Sequence, residues 1–215
     1  MCFSAEVSIG MGTLLTGIGS WTAFRARGTP RFPLALMPIG FGIQQFSEGG
    51  VWQGISTKQS IIVEIAATLY LAIAYGVWPA WVPVITRSAE TVRPRLHSAF
   101  RWVGGVYGLI SCIWLGSTWS AVMPRIQGHS ICYRQTPVFQ PMVFEYLYPI
   151  IVVGPWLLSS DRALRRFGAL GAASAVIAFT VQSLAFASVW CFFAAALSAL
   201  VVVTINRDGS AEEKI

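Results

Sequence analysis

The sequence predicts an all-α polytopic membrane protein, a bundle of seven transmembrane helices with the N-terminus outside and the C-terminus in the cytoplasm. Three observations carry this expectation. Of the 215 residues 55% are hydrophobic and 11% charged, with a mean hydropathy of +0.62, against roughly 45–50% apolar and about 25% charged in a soluble domain. Apolar stretches near the ~20 residues that cross a bilayer recur along the whole chain. The basic residues collect on alternate connections.

The opening MCFSAEVSIG has no Lys or Arg ahead of the first apolar stretch, whereas a cleavable leader carries a positive region there. A permanent first span is therefore expected over Glu6–Phe24. The second and third follow at Phe32–Ile55 and Ile61–Ile85, with Pro79 and Pro83 of GVWPAWVP expected to kink or end the third near the inner face. The fourth is read at Trp102–Met123, followed by a loop from Pro124 to Pro137, and the fifth at Val138–Ser159. Phe167 to Ile205 is too long an apolar run for one span. It divides near Ser183–Phe186 into spans at Phe167–Gln182 and Ala187–Ile205. Residues 1–205 thus form one domain, and residues 206–215 a short polar cytoplasmic tail.

Charge orients these spans, because short cytoplasmic loops collect Lys and Arg. With the N-terminus outside, the inner connections hold twelve of the fifteen basic residues, and the outer ones hold only Lys58, Arg125 and Arg134. Nucleic acid is accordingly not an expected partner despite the net charge of +6. A faint repeat links QQFSEGGVW (Gln44–Trp52) with QSLAFASVW (Gln182–Trp190). A proton-coupled transporter with parallel three-helix repeats would carry such an echo.

An ionisable group inside a span costs roughly 2.5–3.5 kcal/mol, so it turns toward protein and usually has a purpose. Glu48 lies four residues, or about 6 Å, below Trp52, which is read as an interfacial anchor. Gln44, Glu48 and Trp52 share one helix face, with Gln45 beside them. Glu145 reaches a comparable depth on another helix. These residues, with Trp190, are expected to line an outward-facing polar pocket that binds a small ligand, the protein acting as sensor or carrier. In the structural reading of the same residues, Glu48 merely locks the bundle through a hydrogen bond. Most other tryptophans near span ends, Trp78 and Trp190 included, are read as interfacial anchors.

Cys2, Cys132 and Cys191 map to the outer end, an oxidising space where a disulfide such as Cys2 to Cys191 is permitted; no rule selects the pair. In GHSICYR, His129 and Cys132 offer two metal ligands that Cys2 or Glu48 would complete as a zinc site. That alternative makes the protein a metal-dependent, membrane-embedded enzyme at the outer leaflet. Otherwise no cofactor is evident. The only lysines, Lys58 and Lys214, lie outside the spans, which excludes a retinal Schiff base. Two histidines on opposite faces do not make a bis-histidine haem site, and no GxSxG, P-loop or HExxH sequence is present. The expected partners are the bilayer, a small-molecule ligand and a second copy of the chain as a homo-oligomer.

MCFSA at the start, GIQQFSEGGVW, GVWPAWVP and SVWCFFAAALS together resemble a family of bacterial seven-span membrane proteins without an assigned activity. The resemblance runs over essentially the whole chain. It implies a bacterial cytoplasmic (inner) membrane and a shared outer-face group of Cys2, Ser4, Gln44, Gln45, Glu48, Trp190 and Cys191.

Overall fold

The computed structural model describes residues 4–118, 122–135, 142–182 and 185–200. The first long helix, α1 (Ala5–Arg25), is capped by the Ser4 side chain, which accepts from the Val7 N–H. A turn containing Gly28 at φ 78° leads to the short α2 (Phe32–Ala35) and then to α3 (Met37–Ser56). α4 (Ser60–Leu71), a π-helical turn (Ala72–Val77) and α5 (Trp78–Ala89) follow as one rod. α6 (Pro94–Ser117) precedes an antiparallel hairpin of β1 (Val122–Gln127) and β2 (Ser130–Gln135), and α7 (Met142–Leu157), α8 (Arg162–Gln182) and α9 (Phe186–Ser198) complete the chain.

Among the described residues three helical rods are long and apolar enough to cross a membrane, Ser60–Ala89, Pro94–Ser117 and Arg162–Val181, and Leu147–Leu157 and Phe186–Ser198 are shorter apolar helices. α3 has the length but not the hydropathy, because its inner face is polar and glycine-rich. Large apolar side chains point outward in quantity, with Trp102 71% and Val181 72% exposed. Gln, Glu, Ser and Thr side chains meanwhile occupy the interior. So much exposed apolar surface is more than a protein surrounded by water usually carries.

Small residues set the helix spacing. α1 packs antiparallel on α3: a side chain at Gly12 would strike Phe46, one at Gly42 would strike Thr16, and one at Gly49 would strike Ile9. Lower on α1, the Thr22 hydroxyl donates to Ala35 O at 3.2 Å, tying the helix to α2. Across the bundle Gly104 and Gly108 of α6 lie against the backbone of Pro79 and Gly76. Pro83 lacks the N–H that would pair with the Pro79 carbonyl, and that carbonyl faces Gly104.

Four sequence expectations are corrected. The fold is mostly helical, but within the loop expected at 124–137 the chain forms a two-stranded hairpin; the fourth helix ends at Ser117, so Met123 belongs to β1. Gly128 at φ 61° opens the two-residue turn, a position that glycine serves in type II′ hairpins. The third rod is neither ended by Pro79 nor by Pro83 and runs to Ala89, its π-helical turn absorbing the change in register. Trp78 and Trp190 are interior, not interfacial. α8 ends and α9 begins on either side of the expected break, whose residues 183 and 184 lie outside the described ones.

The ends of α5 and α7 and the starts of α6 and α8 are held by a charged knot that composition alone did not reveal. Glu90, directly after α5, accepts from the Val92 and Arg93 N–H groups at 2.9 Å and from the Ser160 N–H at 2.8 Å. His97 of α6 is buried beside it, Nε2 to Oε2 3.5 Å. Asp161 caps α8 through the Ala163 N–H at 2.7 Å and pairs with Arg31 at 3.2 Å. Two connections on one side of the molecule, before α6 and before α8, are thereby fastened together.

Candidate functional site

On α3, residues three and four apart are neighbours, so Gln45 and Gln44 both flank Glu48 on the inward side, and each of the three is 0% exposed. Ser188 of α9 donates its hydroxyl hydrogen to Glu48 Oε1 at 2.6 Å. Gln44 uses both ends of its amide: Oε1 accepts from the Trp78 indole at 2.7 Å, and Nε2 donates to Cys191 Sγ at 3.2 Å. Three helices, α3, α5 and α9, are thus joined through one polar centre. The pairs Glu48–Ser188 and Gln44–Cys191 run in opposite senses along the chain, so α3 and α9 are antiparallel.

The hairpin roofs this centre. Tyr133 of β2 stacks on Tyr70 of α4, ring centroids 4.6 Å apart and 9° between planes, and Tyr70 donates to Ala187 O at 3.1 Å. Ile131 is buried in the same apolar cluster as Val51 and Cys191, with Tyr133 packed against it, and Cys132 is also buried. Glu48 is therefore closed from solvent rather than lining an open cleft.

The other expected residues are distributed as follows. Trp52 is partly buried, with its indole nitrogen buried and lacking an acceptor among the described residues; both amide atoms of Gln45 are in the same condition. Trp190 lies in the interior, donating to Gly171 O at 3.1 Å. Glu145 is on α7, but its side chain is outside the described ones, as is all of Cys2; the Cys2–Cys191 disulfide falls there too. His129 is exposed in the hairpin turn while Cys132 is buried. Among the described residues no three His, Cys, Asp or Glu side chains come together as a metal site. The two repeat-like strings are not in equivalent places: Gln44–Trp52 lies within α3, and Gln182–Trp190 spans the break between α8 and α9.

Sequence reasoning missed Ser188, Trp78 and Tyr70 as members of the polar centre. Ser188 had a usable signal, since it precedes Cys191 by three residues and so shares its helix face. Nothing local marks Trp78 as the partner of Gln44.

A family model described as a family of unknown function, DUF6629, matches residues 1–214. The chain belongs to the DUF6629 family. No curated protein and no solved structure matches it. For a DUF6629 chain the activity must accordingly be argued from the polar centre itself.

Proposed function

We propose that this DUF6629 protein is a seven-span protein of the bacterial cytoplasmic membrane, N-terminus outside, that binds a small molecule at the polar centre around Glu48 and acts as a carrier or sensor. The observation that carries the reading is a carboxyl side chain enclosed on α3 and held by a hydroxyl of the last helix. Burying such a group is costly, and an apolar residue of similar size would fill the space without the cost, so a carboxyl retained there points to function. Gln45 and Trp52 add buried donors and an acceptor that the described residues leave without a partner. Both belong to the same helix face as Glu48, and a polar ligand or water entering from the outer end would meet them. Antiparallel packing of successive rods, the apolar exterior and the twelve-to-three distribution of basic residues favour the seven-span arrangement.

Replacing Glu48 tests the functional part. Glu48→Gln keeps an oxygen for the Ser188 hydroxyl, so thermal unfolding in detergent should move by no more than about 1 kcal/mol equivalent. Substrate-driven pH change in dye-loaded vesicles, scanned over small metabolites, should meanwhile fall at least tenfold. Normal transport by the variant would refute a carrier role for Glu48. Fusions test the topology: alkaline phosphatase inserted after Lys58 should be active in cells, and the same enzyme after Ile215 inactive. Activity at both sites would remove the seven-span reading.

A further inference from the structure

Beside Trp78 and Cys191, the two partners of the Gln44 amide, a partly open cavity of about 50 Å³ lies between α3, α5, α7, α8 and α9, several times the ~10–15 Å³ that admits one water. Its walls are largely aromatic: Phe41, Trp78, Tyr148, Trp156, Phe167 and Trp190. These rings are braced against one another. Phe41 stacks on Trp78 at 4.0 Å, Tyr148 meets Trp190 edge-on at 5.6 Å, and Trp156 leans on Phe167 at 5.0 Å. Two of the indole N–H groups are committed elsewhere, that of Trp78 to Gln44 and that of Trp190 to Gly171 O.

The hole is not what poor packing would leave. A side chain at Gly168 would collide with Trp156, which explains that glycine, but one at Gly171 would meet nothing within 4 Å. Gly171 lines the cavity and Ala194 stands on the adjoining helix, so larger residues at these positions would reduce it. Interiors normally close such space, because each missing contact forfeits dispersion energy. No lining residue carries a carboxylate, ammonium or guanidinium group. An ion entering would therefore lose its hydration with no opposite charge to replace it.

We propose that this chamber is a second binding site, distinct from the polar centre, for a small uncharged apolar molecule of about four heavy atoms or fewer. The ligand packs against the aromatic faces, and the Tyr148 hydroxyl and Cys191 thiol offer weak polar contacts. Gln44 is the partition between this chamber and Glu48. The assignment stands on the cavity and does not require the carrier or sensor reading.

Tryptophan quenching tests it, since Trp78, Trp156 and Trp190 surround the chamber. The purified full chain in detergent is titrated with dibromomethane, a neutral heavy-atom quencher of three heavy atoms, and in parallel with bromoacetate, which carries a charge. Lipid-facing indoles such as Trp102 give a component linear in dibromomethane; the chamber adds a saturable one. The saturable component should be absent with bromoacetate and weakened at least tenfold in Gly171→Leu. Ala194→Leu fills the space from the other helix and provides the same reading should the first variant not fold. A purely linear response of the wild type, equal saturation in both filled variants, or equal saturation by bromoacetate overturns the proposal.

Discussion

Glu90→Ala should lower the stability of the folded protein by at least about 3 kcal/mol, seen as a fall in the thermal unfolding midpoint in detergent at neutral pH. The Glu90 carboxylate is buried and receives three backbone N–H groups, from Val92, Arg93 and Ser160. Removing it leaves three donors without an acceptor, at about 1–3 kcal/mol for each one that water cannot reach. The same geometry makes stability depend on pH. Burial pushes the Glu90 carboxyl up, but hydrogen bonds from Ser160, Arg93 and Val92 outweigh it and hold the group at about 2, below its ordinary 4.5. A carboxyl depressed on folding stabilises fully above its unfolded value and loses that contribution as pH falls toward the folded one. At about 1.4 kcal/mol per unit, roughly 3 kcal/mol should disappear between pH 4.5 and pH 2. Glu90→Gln, which has no proton to gain, should be weaker at neutral pH and show a shallower slope across that window. A Glu90→Ala protein within 0.5 kcal/mol of the wild type, a threshold of about the size of an ordinary surface substitution, would mean that the knot does not hold the connections before α6 and α8 together.

Legibility of the sequence depended on which side of a residue its environment lay. Helix positions followed from runs of apolar residues, because backbone groups in an apolar surrounding must pair within the segment and a helix does this locally. Thus α1 covers Ala5–Arg25 against an expected Glu6–Phe24, and α3 ends at Ser56 against Ile55. The inward direction of Gln44, Gln45 and Glu48 was legible for the same reason, since polarity is what marks a face when both faces are otherwise apolar. Tryptophans gave no such mark. Trp102 and Trp78 are the same residue type near the ends of expected spans, yet one is 71% exposed and the other donates its indole N–H to the Gln44 carbonyl in the interior. The hairpin left an ambiguous mark: Gly128-His129 between two short strands is a turn pattern, but His129 and Cys132 in the same string also carry a metal-ligand spacing. Partners far apart in sequence, such as Ser188 with Glu48 or Ser160 with Glu90, are set by how the rods assemble, and a single chain's local pattern contains no record of that.

Gly104→Ala should destabilise the protein by several kcal/mol, while Gly105→Ala, one residue further on, should leave it unchanged or slightly stabilised. Gly104 faces the Pro79 carbonyl, and a Cβ there would overlap that oxygen and approach the Pro79 carbonyl carbon and Pro83 Cγ at 3.1 Å. Backbone cannot step aside as a flexible side chain can, so α6 would have to move away from α5. Overpacking of this kind typically costs about 1–3 kcal/mol, and here the separation would also loosen the Gly76–Gly108 approach one turn along. At Gly105 an added methyl meets nothing within 4 Å, and alanine favours a helix by about 1 kcal/mol over glycine. The two variants differ by one methyl group at adjacent positions, so helix propensity and hydrophobicity cancel in their comparison and only the contact with the proline-freed carbonyl remains. Equal unfolding midpoints for both would show that α6 does not rest on the Pro79 backbone. A large difference in the expected direction would fix the α5–α6 seam, on which the positions of Trp78 and hence Gln44 depend.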